Sequence, residues 1–216
     1  MRKSFVYIVL AVFFSFSLSG YSPQKNDGWL SLFDGKSLYG WQVGKSAATF
    51  RADSGYIIVH GNTAHLYYVG DVHGHDFKNF EFKADVMTFP HANSGIYFHT
   101  QYQEGGWPDH GYEVQVNNSH SDDVRTGALY DVVDLKELYV KDFEWFTEYI
   151  KVQGKRVIVK INDTIVVDYT EPEHPVRDTA SHPFRYISHG TFALQGHDPG
   201  SRVYFKNIFV KPLPDK

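Results

Sequence analysis

What most constrains this chain is a two-residue alternation of side-chain character, repeated in short runs that are broken by turn residues. It is clearest in Asn93-Ser94-Gly95-Ile96-Tyr97-Phe98-His99-Thr100 and in Gly111-Tyr112-Glu113-Val114-Gln115-Val116-Asn117. A β-strand sends successive side chains to opposite faces, so Ile96, Phe98, Tyr112, Val114 and Val116 should point one way and Tyr97, His99, Glu113, Gln115 and Asn117 the other. The first set reads as core. The second holds a carboxylate, an imidazole, two amides and a phenol, groups able to grip a polyhydroxylated ligand and move a proton.

The same period recurs along the chain. Phe80 to Met87 alternates apolar and charged residues, the mark of a strand with one buried face. Thr49 to Ala52, Tyr56 to His60 and His65 to Tyr68 are β-prone runs separated by Asp53-Ser54-Gly55 and Gly61-Asn62. Trp145 to Gln153, Arg156 to Ile161 and Thr164 to Tyr169 form two hairpins through Gly154-Lys155 and Asn162-Asp163, residues that tolerate positive φ. Gly127 to Asp131 reads as a short strand, Val132 to Phe143 as the only stretch with helical flavour, and Thr191 to His197 and Arg202 to Leu213 as closing strands. Glu171 to His189, with Pro172, Pro175 and Pro183, reads as an ordered surface loop. The fold class is therefore all-β, with a two-sheet antiparallel sandwich as first choice and a closed barrel as second.

Met1-Arg2-Lys3, the apolar Val6 to Phe16 and Ser17-Leu18-Ser19-Gly20 have the three parts of a secretory signal, so residues 1–20 are expected to be removed and 21–216 to form one domain. The apolar run is shorter than the roughly 20 residues of a spanning helix, and with no cysteine there is no lipid anchor at the cut. The expected location is periplasmic or secreted, with no membrane attachment after cleavage. Without disulfides, stability must come from burial, and 17 Phe, 15 Tyr and 4 Trp supply large areas per side chain. A formal charge of −4 with no basic run argues against nucleic acid as a partner. Nothing specifies an oligomeric state.

Glu113 stands out because it sits mid-strand on the polar face, where aromatic neighbours would raise its proton affinity and suit it to general acid or base work. His99 and Gln115 accompany it. Gln195 and His197 are two residues apart, about 7 Å along a strand and on one face. Gly196 between them would let a ligand or another backbone approach. Tyr97, Trp107 and Tyr130 can stack on sugar rings, and Asn93 stands at the mouth of the site. Asp71-Val72-His73-Gly74-His75-Asp76 packs potential ligands together but lacks a diagnostic zinc spacing, so no metal site is assigned. Phosphate loops and the Gly-x-Ser-x-Gly elbow are absent. A conventional glycosidase needs a second carboxylate, which would have to come from Asp109, Asp131 or Asp134 because Gln115 is an amide. One acid among imidazoles and amides better fits proton abstraction beside a carbonyl. That chemistry needs no cofactor, with an assisting divalent ion left open.

These segments, together with Leu32-Phe33-Asp34-Gly35-Lys36-Ser37-Leu38, Gly40-Trp41, Thr126-Gly127-Ala128-Leu129-Tyr130 and Phe205-Lys206-Asn207-Ile208, resemble the 3-keto-disaccharide hydrolase family, also known as domain of unknown function 1080. The resemblance runs in order over nearly the whole mature chain. It implies a concanavalin A-like jelly roll of the lectin and glucanase type, export, and cleavage of glycosides oxidised to a ketone at carbon 3. The ketone acidifies the hydrogen on carbon 2, so a base can remove it, the carbon 1 substituent can leave, and water can add back. On that reading Glu113 is base or acid, His197 its proton-transfer partner, and His99, Gln115 and Gln195 hydrogen-bond donors. At His99 the family more often carries arginine. The competing expectations are a non-catalytic lectin-like module, since fold alone does not decide function, and an ordinary glycoside hydrolase.

Overall fold

The computed structural model describes residues 27–177 and 183–215; the expected signal segment, 1–20, lies outside them. In chain order the strands are β1 (Leu30–Ser31), β2 (Trp41–Val43), β3 (Phe50–Asp53), β4 (Tyr56–His60), β5 (Ala64–Tyr68), β6 (Phe80–Thr88) and β7 (Ser94–Thr100). They continue as β8 (Tyr112–Val116), β9 (Phe146–Gln153), β10 (Arg156–Ile161), β11 (Thr164–Thr170), β12 (Thr191–Gly196) and β13 (Arg202–Pro212). One sheet runs β11-β10-β9-β6-β13-β4-β3 with β1 added on β13, and the other runs β2-β5-β12-β7-β8. Two separate antiparallel sheets with crossovers between them make a jelly-roll sandwich, and the barrel is not formed.

Hairpin chemistry sets the local register. Gly154 and Asn162 take φ of 59° and 54° in the two-residue turns of β9-β10-β11, as their types allow. In β6, Phe80, Phe82, Ala84, Val86 and Thr88 are buried while their neighbours are half-buried, which turns the alternation into one core face and one wet face. Phe192 of β12 meets Phe82 at 4.6 Å and Phe77 and Phe80 at 4.9 Å between ring centres, an aromatic seam that joins the two sheets. Such pairs contribute about 0.5–1.5 kcal/mol each beyond the area they bury.

The five-stranded sheet departs from simple alternation. Every residue of β5, β7, β8 and β12 is buried, because loops cover its outer face. Tyr102 and Trp107 of the β7–β8 loop lie edge-on to Tyr67 and His65 of β5. The stretch after Gly127 runs along β8 through the bonds Tyr130 N–H to Glu113 O (3.0 Å) and Gln115 N–H to Ala128 O (3.0 Å). Only isolated bridges at Leu129 form there, and the segment with helical flavour is a chain of turns. The described parts of the Pro-rich stretch, 171–177 and 183–189, are tied by a buried group: Glu171 accepts from Tyr112 Oη and from Ile187 N–H (2.9 Å), and Arg177 donates to Tyr112 and Tyr169.

His99 is the residue misplaced by the alternation rule. Its φ of 57° is left-handed, and the β7–β12 register slips beside it between Thr191 and Phe192. This bulge turns the imidazole against Phe80 and Phe98, where it is fully buried. Nε2 donates to Lys78 O (2.9 Å) and Nδ1 accepts from Ser188 N–H (3.2 Å). Burial lowers its pKa to about 4. His99 is a neutral pin between segments, away from the site, rather than a substrate ligand.

Glu148 of β9 is fully buried on the core side of the large sheet, with no partner for either oxygen among the described residues. Burial first, and the charge of Glu113 second, hold its carboxyl well above the usual range. A raised acid stabilises the fold most below its unfolded value, near 4.5, and that contribution disappears as pH rises. Glu148→Met should therefore stabilise the protein at pH 8 by about 1–3 kcal/mol. Urea unfolding reads this directly, and an unchanged or lower midpoint would count against the account.

Candidate active site

The outer face of the five-stranded sheet carries a cleft of about 210 Å³. Tyr97 from β7, Glu113 and Gln115 from β8, and Gln195 from β12 form its floor. Asn93, Trp107, Tyr130, His197 and Asp122 form its walls. The cross-strand register explains the floor: Tyr97 pairs with Glu113 and Gly95 with Gln115, so neighbouring rungs of one ladder converge on the acid.

Both oxygens of Glu113 are held. Tyr97 Oη donates to Oε2 at 2.7 Å and Gln195 Nε2 donates to Oε1 at 2.7 Å. Burial raises its pKa to about 7, against the opposing effects of the Tyr97 bond, the nearby Arg185 cation and the Gln195 bond. Space for the carboxylate comes from Gly95, where a Cβ would lie 2.1 Å from Glu113 Oε1. Gly196 has a different use from the one expected: a Cβ there would meet Thr49 Cγ2 at 2.5 Å, so it admits a neighbouring side chain rather than a ligand.

His197 lies just past β12. Its Nδ1 donates to Asp198 Oδ2 at 2.9 Å, and the same oxygen accepts from Ser201 Oγ at 2.6 Å. Burial pushes the Asp198 carboxyl up, but the bonds from Ser201, His197 and Gly200 outweigh it and hold the pKa below the ordinary value. An ionised Asp198 thus holds the proton on His197 Nδ1 and leaves Nε2 as the nitrogen that can give or take one. Trp107 lies tilted against the His197 ring at 5.4 Å between centres, held by Gln103, whose Nε2 donates to Trp107 O at 2.8 Å.

Several site residues come from places with no sequence signal. Asp122 and His120 arrive on a loop anchored by Asn117, whose Nδ2 donates to Asp122 O and Val124 O, both at 2.9 Å. Arg185 is buried in the Pro-rich loop, donating to Tyr130 O at 2.8 Å and pairing with Asp131 at 3.2 Å. His65 of β5 lies under Trp107 and edge-on to Tyr97 at 5.3 Å; burial, with His197 nearby, lowers its pKa to about 3. Asp109, Asp131 and Asp134 do not line the cleft, and Asp122 is the second carboxylate that does. Among the described residues, His120, His197 and Asp198 are the group that could converge on a cation, with ligand atoms within 4.8 Å of one another. Here His197 is hydrogen-bonded to Asp198 while His120 Nε2 stands 3.9 Å from the same carboxylate, and His120 Nδ1 accepts from Asp122 N–H at 3.0 Å, which places the proton on Nε2.

Residues 28–211 match the model of the 3-keto-alpha-glucoside-1,2-lyase-like domain. The chain belongs to this family. It is 26% identical to a 3-keto-disaccharide hydrolase of Bacteroides thetaiotaomicron, over 88% of this chain and 80% of that one. It is similar to a crystal structure from Parabacteroides distasonis ATCC 8503, provisionally described as a glycosyl hydrolase, at 23% identity and a TM-score of 0.73, covering 87% and 95% of the two chains. A carbohydrate binding module of Bacillus subtilis shares the fold at 14% identity and a TM-score of 0.54, over 80% and 95%.

Within this family member the Gly95 contact makes a sharp test. Gly95→Ala should displace the Glu113 carboxylate and lower kcat/KM at least about tenfold, a loss of about 1.4 kcal/mol of transition-state stabilisation. Steady-state kinetics with a folding check by circular dichroism would read it. Full activity in a folded variant would remove Glu113's geometry from the account.

Proposed function

We propose that the chain is an exported hydrolase of 3-keto-glycosides, acting on 3-keto-disaccharides by elimination and hydration. The observation that carries this reading is Glu113, a buried carboxyl poised near neutrality with both oxygens oriented. A base must be ionised to accept a proton yet basic enough to take one from carbon, and a pKa of about 7 meets both needs.

Glu113 takes the proton from carbon 2 of the keto sugar, and the electron pair becomes the carbon 1–carbon 2 double bond as the carbon 1–oxygen bond breaks. His197, protonated and steadied by Asp198, gives its proton to the departing oxygen. Water then adds at carbon 1 with His197 taking its proton, and Glu113 returns a proton to carbon 2. The net change is hydrolysis. Gln115 and Asn93, linked at 3.1 Å, supply amide groups for the ketone and hydroxyls. Gln195, read from sequence as a substrate donor, spends its N–H groups on Glu113 and Tyr97 and so acts as a positioning residue. Trp107 and Tyr130 offer ring faces to the sugar. An ordinary glycoside hydrolase is the second reading, favoured by Asp122 beside Glu113 in the cleft.

Incubation with a 3-keto disaccharide and its unoxidised parent separates the readings. Release of sugar from the keto form alone is expected; release from both supports the two-carboxylate enzyme, and binding without turnover a lectin. Glu113→Gln should lower kcat by about 10²–10⁴-fold. Because only the ionised form of Glu113 is a base, kcat/KM should rise with pH through about 7, on a limb that the variant lacks. A flat profile between pH 5 and 8 would sink the assignment.

A further inference from the structure

Residues 101–108, which follow β7, lie over the outer face of the five-stranded sheet with little to hold them there. Of these eight residues only Pro108 is buried. Among the described residues one backbone hydrogen bond joins the segment to the edge of that sheet, from Lys45 N–H to Glu104 O at 2.7 Å. The other contacts are made by two rings, Tyr102 edge-on to Tyr67 and Trp107 edge-on to His65, both at 5.5 Å between centres and each upper ring 43% exposed. The segment nonetheless has a shape of its own. Gln103 Nε2 donates to Gly105 O at 2.7 Å and to Trp107 O at 2.8 Å, and its Oε1 accepts from Asp109 N–H at 3.2 Å. Its far end is fixed, since Asp109 O accepts from Phe184 N–H at 3.3 Å and Gly111 N–H donates to Phe184 O at 3.1 Å.

The two rings cover groups that lose by being covered. His65 Nε2 and Tyr67 Oη are buried with no hydrogen-bond partner among the described residues. A polar atom closed off in this way forfeits the bonds that water would give it, so lifting the rings restores hydration. Closure therefore sets the apolar contact of two half-exposed rings against the dehydration of two polar atoms. An element with so few buried contacts opens locally, far more readily than the strands beneath it unfold. Trp107 is also a wall of the Glu113 cleft, and with it in place the cleft holds about 210 Å³. Pockets that bury a whole small ligand run to roughly 300–1,000 Å³, so the wall has to give before such a ligand enters.

We propose that residues 101–108 are a lid, closed in this structure, that lifts as a unit about Asp109–Gly111 to admit ligand to the Glu113 cleft and then brings Trp107 down against it. The Gln103 bonds let the lid move without losing its shape, and Phe184 keeps its far end in place. The unpartnered atoms of His65 and Tyr67 bias it towards opening. The lid rests on the 3-keto-glycoside reading only for the identity of the ligand it admits.

A crosslink tests this directly, because the chain has no cysteine of its own. A Cβ on Gly105 would lie 3.4 Å from Lys45 Cδ and 3.9 Å from Lys45 Cγ, so Lys45→Cys with Gly105→Cys can join the lid to the sheet edge by a disulfide. Diethyl pyrocarbonate acylates neutral imidazoles, and burial keeps His65 neutral, with a pKa of about 3. Peptide mass spectrometry at pH 7 then reads the rate at His65. His65 should react in the reduced variant and at least about tenfold more slowly with the disulfide formed, while His99, enclosed in the core, stays unreactive in both. Gln103→Ala needs no crosslink and should raise the His65 rate about tenfold by unstapling the lid. Equal His65 rates in the two redox states, no reaction at His65 in the reduced protein, reaction only together with His99, or an unchanged rate in Gln103→Ala overturns the lid. With a 3-keto disaccharide, kcat/KM should fall on oxidation and recover on reduction, and full activity of the crosslinked form overturns the lid's part in ligand entry. Absence of cleavage in both states, with His65 still gated, would instead overturn the proposed reaction and leave the lid standing.

Discussion

The contact of Phe192 with Phe77, Phe80 and Phe82 is the joint on which the rest of the molecule depends. β12 lies in the middle of the five-stranded sheet, between β5 and β7, and its inward side chain locks that sheet to β6 of the other. Once Phe192 and Leu194 face the core, Ala193 and Gln195 must face out. Gln195 then meets Glu113 and Tyr97, which the pairing of β7 with β8 has brought to the same place. A chain with no disulfides relies on this burial, and the chemistry on the far face inherits its position.

On that face the sheet is covered rather than wet. The β7–β8 loop and the segments after β8 lie across it, and the removal of water raises the proton affinity of Glu113 to about 7 despite two hydrogen bonds and a nearby cation that favour its ionised form. Desolvation outweighs them because the carboxylate is closed in on all sides. The balance suits a group that must both accept and return a proton. His197 contrasts with it, being half-buried and tied through Asp198 to a fixed tautomer. Two titratable side chains in different environments thus face one cleft, one on a buried strand and the other at a half-buried strand end.

Much of this was legible in the residues alone. The alternation in β7 and β8 identifies Tyr97, Glu113 and Gln115 as one set, and the spacing of Gln195 and His197 adds the neighbouring wall, because strand periodicity is a local property of the backbone. The turns at Gly154 and Asn162 are equally local, each set by the conformations its own residue type tolerates. The buried Glu171, Arg177 and Tyr112 group at the base of the Pro-rich stretch was not readable, because its members lie far apart in the chain.

What the sequence by itself determined is therefore the class of fold, its strands and the side of each strand that carries the polar set. Only the tertiary structure decided that His99 turns inward, since its left-handed backbone follows from a register slip against β12, about 90 residues further along the chain. Only the tertiary structure brought in Asp122, Arg185 and His65, which sit on loops or a distant strand and differ in nothing local from other polar residues. Their roles come from long-range contacts: Asn117 folding the 118–126 loop back on itself, Tyr130 receiving Arg185, and Trp107 capping His65. Side-chain direction is set within a few residues, whereas burial and the electrostatics that follow from it depend on what the rest of the chain lays on top.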